Sequence, residues 1–218
     1  AAMPRIESNE FPVFSGGRWF RKRTPQDQKM PIVEVADALD GAWRIIVDLN
    51  QVSSGELLTI DNFVPSPDGR KLALGWGVDG RECAVLRAID VDSGKWVLDP
   101  VLPVRPVFVA WMPDSSGIYF SAIEASMKTA DIKVFRQMLG AEAVTKPEEY
   151  ETSHSLTWAK IAADGKHTFL IADHLNPRPD FIRDETVDKD GAGGGWRPFL
   201  KGENALFLDH DDLLAPHA

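Results

Sequence analysis

The chain has 218 residues, 44% of them hydrophobic, which is enough for a sizeable core, and a formal net charge of −9. The acidic balance argues against general nucleic-acid or membrane-surface binding, and no run of 18 apolar residues is present to span a bilayer. The single cysteine, Cys83, excludes an intramolecular disulfide, and without Cys/His metal spacing it reads as a small buried side chain in a strand.

Residues 1–11 are polar and read as an extended lead-in. Ala1-Ala2-Met3-Pro4 lacks signal-peptide architecture and is compatible with appended, non-native residues. The default compartment is the cytoplasm, with the periplasm as the alternative for a chain whose signal peptide has been removed. From Pro12 onward strand-like runs begin. Residues 13–14 and 19–21 flank Gly16-Gly17, and residues 31–36 and 43–47 follow, with Asp40-Gly41 as the last turn. Residues 35–39 are the one helical suspicion, too short to persist before Asp40-Gly41. Arg18, Arg21, Lys22 and Arg23 form a basic cluster, expected to be a solvated hairpin tip.

The second unit is the clearest. A strand ends at Val64, residues 66–69 turn, and residues 71–75 form the next strand. Residues 78–82 read as a loop, residues 84–91 as a third strand, Asp92-Ser93-Gly94 as a hairpin turn and residues 96–98 as a short outer strand. The third unit has strands at 107–111, 118–120 and 133–138, with a weaker outer strand near Tyr150. The fourth has runs at 156–159, 168–172, 180–183 and 196–200, and residues 184–195 are a charged, Gly-rich loop. Residues 204–208 with Leu213-Leu214 begin a further unit or form a returning strand.

Turn glycines recur at 17, 69, 117 and 165, about 50 residues apart, each between strand-like runs. Asp68, Asp114 and Asp164 precede or accompany three of these turns, where a carboxylate can accept local backbone hydrogen bonds. Four strands per repeat at this period is the pattern of β-propeller blades, which must stack because one blade cannot bury its faces alone. The expected fold is all-β, with antiparallel four-stranded blades over residues 12–218.

Chemistry is sparse. No Gly-x-Ser-x-Gly elbow occurs, and the βαβ pattern that would carry one is absent. Ser155, Asp173 and His174 can be drawn as a triad only on paper, since geometry defines a triad. Asp209-His210-Asp211-Asp212 reads as a solvated acidic turn, because consecutive residues on a strand alternate faces. Residues 191–195 lack the lysine and strand-to-helix context of a phosphate cradle. No catalytic residue, cofactor or metal is therefore assigned. Trp19, Trp76, Trp111, Trp158 and Trp196 could form a peptide platform, but Trp111 and Trp158 sit before equivalent turns and read as core. Trp76, between Gly75 and Gly77, is the candidate peptide contact.

Several ordered segments resemble the propeller of the prolyl oligopeptidase family. Residues 43–50 end in Asp48-Leu49-Asn50, similar to the family's aspartate-x-asparagine after an apolar strand. Residues 61–75, Gly80-Arg81-Glu82, the strand at 86–91 and Ser93-Gly94 follow in the family's order. Residues 109–114 with 117–120 resemble the next blade, and residues 133–140 the strand that closes in Leu-Gly. Ala141 to Pro147 departs from the family pattern, and oligopeptidases that cut after basic residues share much of it. The resemblance implies a two-domain serine peptidase whose seven-bladed propeller admits short peptides to an α/β-hydrolase domain. This chain would supply about four blades and no hydrolase domain, and would be inactive alone. Its implied partners are that hydrolase domain and short peptides, with self-association through uncovered blade faces. A stand-alone binding module without catalysis is the other reading.

Overall fold

A computed structural model describes residues 8–98, 104–124, 132–141, 160–163, 167–171, 181–184 and 197–198. The chain forms two compact units, residues 1–106 and 107–218.

The first unit contains two antiparallel sheets. In the first sheet, β1 (Ser8–Asn9) and β2 (Val13–Ser15) both pair with β3 (Arg18–Thr24), followed by β4 (Ile32–Ala36) and β5 (Arg44–Asp48). Together β1 and β2 act as one first strand broken before Pro12, which has no N–H for the ladder. The second sheet runs β6 (Leu58–Pro65), β7 (Lys71–Val78), β8 (Arg81–Asp90) and β9 (Trp96–Leu98) in chain order. Between the sheets lies a short helix, α1 (Leu49–Val52), which the all-β expectation does not include. Asp48 caps it by accepting a 2.9 Å hydrogen bond from the Asn50 amide, and Leu49 is fully buried.

The pattern of burial explains why these sheets stack. Phe20, Val33, Val35, Val47 and Leu49 from the first sheet and α1 join Leu58, Leu72, Leu74, Trp76, Ile89 and Val91 from the second in one cluster. Each such side chain contributes about 1.5–3 kcal/mol on burial, so this face holds the pair together. β4 is buried along its whole length, consistent with its central position and its run Ile-Val-Glu-Val-Ala.

Residues 78–82 are not a five-residue loop. Val78 pairs with Arg81, leaving Asp79 (φ 51°) and Gly80 (φ 77°) as a two-residue turn that matches strand twist. Both flanking strands lengthen accordingly. Residues 37–39 do not continue as a helix: β4 ends at Ala36 and a turn follows.

In the second unit, β10 (Val104–Trp111), which begins at the end of the first, pairs with β11 (Gly117–Glu124), and β11 with β12 (Ile132–Met138). Phe120 and Phe135 face each other across the ladder, their rings stacked at 5.3 Å. A fourth sheet runs β13 (Lys160–Ala163), β14 (His167–Ile171), β15 (Phe181–Asp184) and β16 (Arg197–Pro198). The strand before the fourth turn is therefore β13. Residues 156–159, the outer strand near Tyr150 and residues 204–214 lie outside the described residues, as does the side chain of Cys83 on β8. Among the described residues no helix is long and apolar enough to cross a membrane.

Candidate functional site

The turns carry most of the ordered polar chemistry. At the β6–β7 turn, Gly69 N donates to Ser66 O at 2.9 Å, and Ser66 N to Lys71 O at 2.9 Å. Asp68 Oδ1 accepts from the Ser66 hydroxyl at 2.6 Å and from Arg70 N at 3.0 Å. Burial works to raise the Asp68 carboxyl, but the Ser66 hydroxyl, the Arg70 amide and the Lys71 ammonium outweigh it and hold the group below its ordinary value. The β10–β11 turn repeats this network. Ser115 N donates to Met112 O at 2.9 Å, Met112 N to Gly117 O at 2.9 Å, and Ser116 N to Asp114 Oδ1 at 3.0 Å.

The superposition of bonds corrects one equivalence. Gly117 matches Lys71, not Gly69, and the left-handed position is filled by Ser115 at φ 60°. Gly117 is required for a different reason: a Cβ there would lie 2.6 Å from the Gln137 carbonyl oxygen on β12. Gly17 (φ 81°) belongs with Gly16 (φ 54°) to a two-residue turn between the paired Ser15 and Arg18. Asp164 and Gly165 lie outside the described residues.

The turn ends of the first two sheets are joined. Ser15 Oγ donates to Ser66 O at 2.8 Å, and Gly16 lies directly on the Asp68-Gly69 peptide, where a Cβ would collide with backbone. Nearby, Arg18 Nη1 approaches Asp92 Oδ1 at 2.8 Å, and Arg44 Nη2 the same oxygen at 3.4 Å. At the opposite end, Asn50 grips the chain before β4: Met30 N donates to Asn50 Oδ1 at 3.1 Å and Asn50 Nδ2 to Met30 O at 2.9 Å. The Asp48-Leu49-Asn50 motif is thus a cap, a core residue and a clasp in sequence.

Trp76 is not an exposed peptide contact. It is 5% exposed, lies in the core cluster and packs on Trp96 with ring centroids 5.8 Å apart. Flanking glycines suggested a loop, but β7 continues through both of them. Trp111 is buried, and Trp19 is half-buried against Phe14 at 4.9 Å. Trp158 and Trp196 lie outside the described residues.

The basic cluster is likewise not a solvated hairpin tip. It lies along β3, and alternation divides it between the two faces of the sheet. Arg18 and Lys22 point toward the second sheet, Lys22 Nζ reaching Ile60 O at 3.4 Å and Glu10 Oε1 at 3.1 Å. Arg21 and Arg23 share the buried Glu34 on β4. Arg21 Nε donates to Glu34 Oε2 at 2.7 Å, while Arg23 donates from Nε at 2.9 Å and from Nη2 to Oε1 at 3.1 Å. Burial pushes the Glu34 carboxyl up, and the two guanidinium groups more than reverse this, holding it below its ordinary value. Trp43 lies under Arg21, 4.0 Å from the guanidinium carbon to the ring centre. Only the basic-residue density of β3 signalled this arrangement, and Glu34 as its centre had no sequence signal beyond an acid in an apolar strand.

Ser155, Asp173, His174, residues 191–195 and residues 209–212 lie outside the described residues. Among the described residues no group of three His, Cys, Asp or Glu side chains converges as a metal site.

The family model for "Prolyl oligopeptidase, N-terminal beta-propeller domain" matches residues 3–177. A structure from a structural and mechanistic study of two prolyl endopeptidases is similar, with 24% identity and a TM-score of 0.62 over 90% of this chain and 30% of that one. Oligopeptidase B from Leishmania major is similar, with 20% identity and a TM-score of 0.65 over 88% of this chain and 27% of that one. The chain spans less than a third of the length of either protein, and the likeness to them is one of fold. With its succession of antiparallel sheets, two of them four-stranded among the described residues, the turn network repeated at Asp68 and Asp114, and the family match over most of its length, the chain belongs to the prolyl oligopeptidase family as its N-terminal β-propeller domain.

Proposed function

We propose that this chain is the propeller portion of a serine peptidase of the prolyl oligopeptidase type, and that it governs which peptides reach a hydrolase domain of the same protein. The observation that carries the reading is the family match over residues 3–177 in a chain without a Gly-x-Ser-x-Gly elbow. The locked seam between the first two sheets supports it, because a sieve that excludes folded proteins must hold its blades together. The study of two prolyl endopeptidases ties inter-domain dynamics to catalysis and specificity in those enzymes. By extension, motion of this domain against its hydrolase partner would admit substrate here. Self-association of the isolated chain through uncovered sheet faces belongs to the same proposal, and light scattering across a dilution series reads it.

The test is association in trans. The hydrolase portion of the parent protein, expressed separately, is mixed with this chain and examined by sedimentation velocity. A complex that restores discrimination against folded proteins is expected. Absence of any complex, with this chain binding partners of its own, would favour a stand-alone binding module.

A further inference from the structure

The structure assigns Asp40-Gly41, in the loop between β4 and β5, as a modification site at which the backbone rearranges to isoaspartate, while the turns at Asp68-Gly69 and Asp79-Gly80 protect the same dipeptide from the same reaction. This inference stands apart from the proposed gating role, since it needs only local geometry.

The chemistry is intramolecular. The glycine nitrogen attacks the aspartate Cγ and loses its proton, an N–C bond forms, and a carboxyl oxygen leaves as water. Water then reopens the cyclic imide. Opening at the former main-chain carbonyl leaves the chain running through the side-chain carbon, as isoaspartate, and opening at the other carbonyl restores aspartate. One water leaves and one returns, with no oxidant or co-reactant. Glycine suits the step because no Cβ shields its nitrogen. A carboxylate tied down by hydrogen bonds, or a glycine nitrogen locked in a packed turn, opposes it.

The sequence has Asp-Gly at residues 40–41, 68–69, 79–80, 164–165 and 190–191, and the last two pairs lie outside the described residues. Asp68 is restrained on both counts. Its Oδ1 accepts from the Ser66 hydroxyl at 2.6 Å and from Arg70 N at 3.0 Å, and Lys71 Nζ donates to Oδ2 at 3.3 Å. Gly69 is buried, its N donates to Ser66 O at 2.9 Å, and it packs on Ser15 and Gly16. Loss of water also needs a protonated carboxyl. Burial raises the Asp68 carboxyl, but Ser66, Arg70 and Lys71 more than reverse this and favour its ionised form. Asp79 is exposed but tethered. Its Oδ1 accepts from Leu57 N at 2.9 Å and its own N donates to Leu57 O at 2.9 Å, so both ends of the residue are fixed on the segment that leads into β6.

Asp40 has no such restraint. Residues 37–42 are all exposed and lie beyond the β4–β5 ladder, whose last pair is Val35 with Arg44. The turn from Ala38 to Gly41 is closed by one backbone hydrogen bond, Gly41 N to Ala38 O at 3.0 Å. Among the described residues the Asp40 carboxylate has no hydrogen-bond or ion-pair partner, whereas Asp37 in the same loop pairs with Arg18. A turn held by one exposed bond opens at little cost, and opening releases the Gly41 N–H for attack on a carboxyl that nothing holds back. The loop lies at the end of the sheet, where the strands reverse. The extra backbone atom of isoaspartate therefore enters a segment that no β4–β5 ladder bond crosses.

The test incubates the full chain at neutral pH and physiological temperature, digests samples taken over time, and reads each pair by electron-transfer fragmentation, which separates isoaspartate from aspartate. The account expects isoaspartate to accumulate at Asp40 at least tenfold faster than at Asp68 or Asp79, preceded by loss of one water mass from the same peptide. Gly41→Val, which shields the nitrogen, should slow the reaction at Asp40 at least tenfold. In chain unfolded by urea, the rates at the three pairs should converge. Isoaspartate at Asp68 or Asp79 as fast as at Asp40 in the folded chain would overturn the proposal. So would its absence at Asp40 over a time in which the unfolded chain forms it, an unaltered rate in Gly41→Val, or a difference among the pairs that persists in urea.

Discussion

The hydroxyl of Ser15 donates a 2.8 Å hydrogen bond to the carbonyl oxygen of Ser66, 51 residues further along the chain. The two residues sit in the first turns of successive sheets, so the bond ties one blade to the next at the turn end. Gly16 and Gly69 make the approach possible. A Cβ on Gly69 would lie 2.8 Å from the carbonyl oxygens of both Ser15 and Gly16.

Gly16→Ala and Gly17→Ala separate conformation from contact. Both glycines have positive φ, but Gly16 lies on the backbone of Asp68 and Gly69, and Gly17 has open space around it. Gly17→Ala should cost about 1 kcal/mol from backbone conformation alone. Gly16→Ala should cost about 3 kcal/mol, because the turn-to-turn contact must also open. Urea denaturation of the two variants reads the difference, and equal costs would show that the turns do not bear on one another.

Asn50→Ala removes the side chain that satisfies both the N–H and the C=O of Met30. A loss of about 2 kcal/mol is expected. Hydrogen exchange should show faster exchange at the Met30 amide in the variant. Unchanged protection there would mean that the clasp contributes nothing.

Glu34 makes stability depend on pH with a definite sign. Its folded-state carboxyl lies below the ordinary 4.5, so its contribution is present above pH 4.5 and is lost as pH falls from there through the lowered value. Glu34→Gln should therefore destabilise the chain by about 3 kcal/mol at neutral pH, by removing the buried anion that Arg21 and Arg23 share. The gap between wild type and variant should narrow as the solution is acidified below pH 4.5. A gap that stays constant or widens would place the stabilisation elsewhere.

An active-site serine probe should leave the isolated chain unlabelled, since no nucleophile elbow is present. Intact-mass spectrometry after incubation with a fluorophosphonate reads this directly. One adduct per chain would show a nucleophile that the sequence pattern does not reveal.

Much of this fold was legible because strands announce themselves by apolar runs between turn residues. β9 falls at Trp96–Leu98 as read, and the turn at Ser66 to Gly69 is where Pro, Asp and Gly place it. What was not legible depended on contacts distant in sequence. Trp76 between two glycines reads locally as loop, and only the ladders of β6 and β8 on either side, with Trp96, bury it. Ser115 in the left-handed region is hidden because a glycine two residues later suggests a different register. The two-residue turn at Asp79 is concealed because residues 81–82 are polar although they are paired or continue the strand. The Arg21–Glu34–Trp43 group joins three positions that nothing in local spacing connects.

Selection by substrate size tests the central claim most directly. The parent protein is supplied with one cleavage sequence that carries both a proline and an arginine in two forms, as a short free peptide and within a folded carrier, and the two initial rates are compared. The account predicts rapid cleavage of the peptide and negligible cleavage of the carrier, with the carrier becoming a substrate once it is unfolded and cut into short fragments. Equal rates on the peptide and the folded carrier would contradict a role for this domain in controlling access.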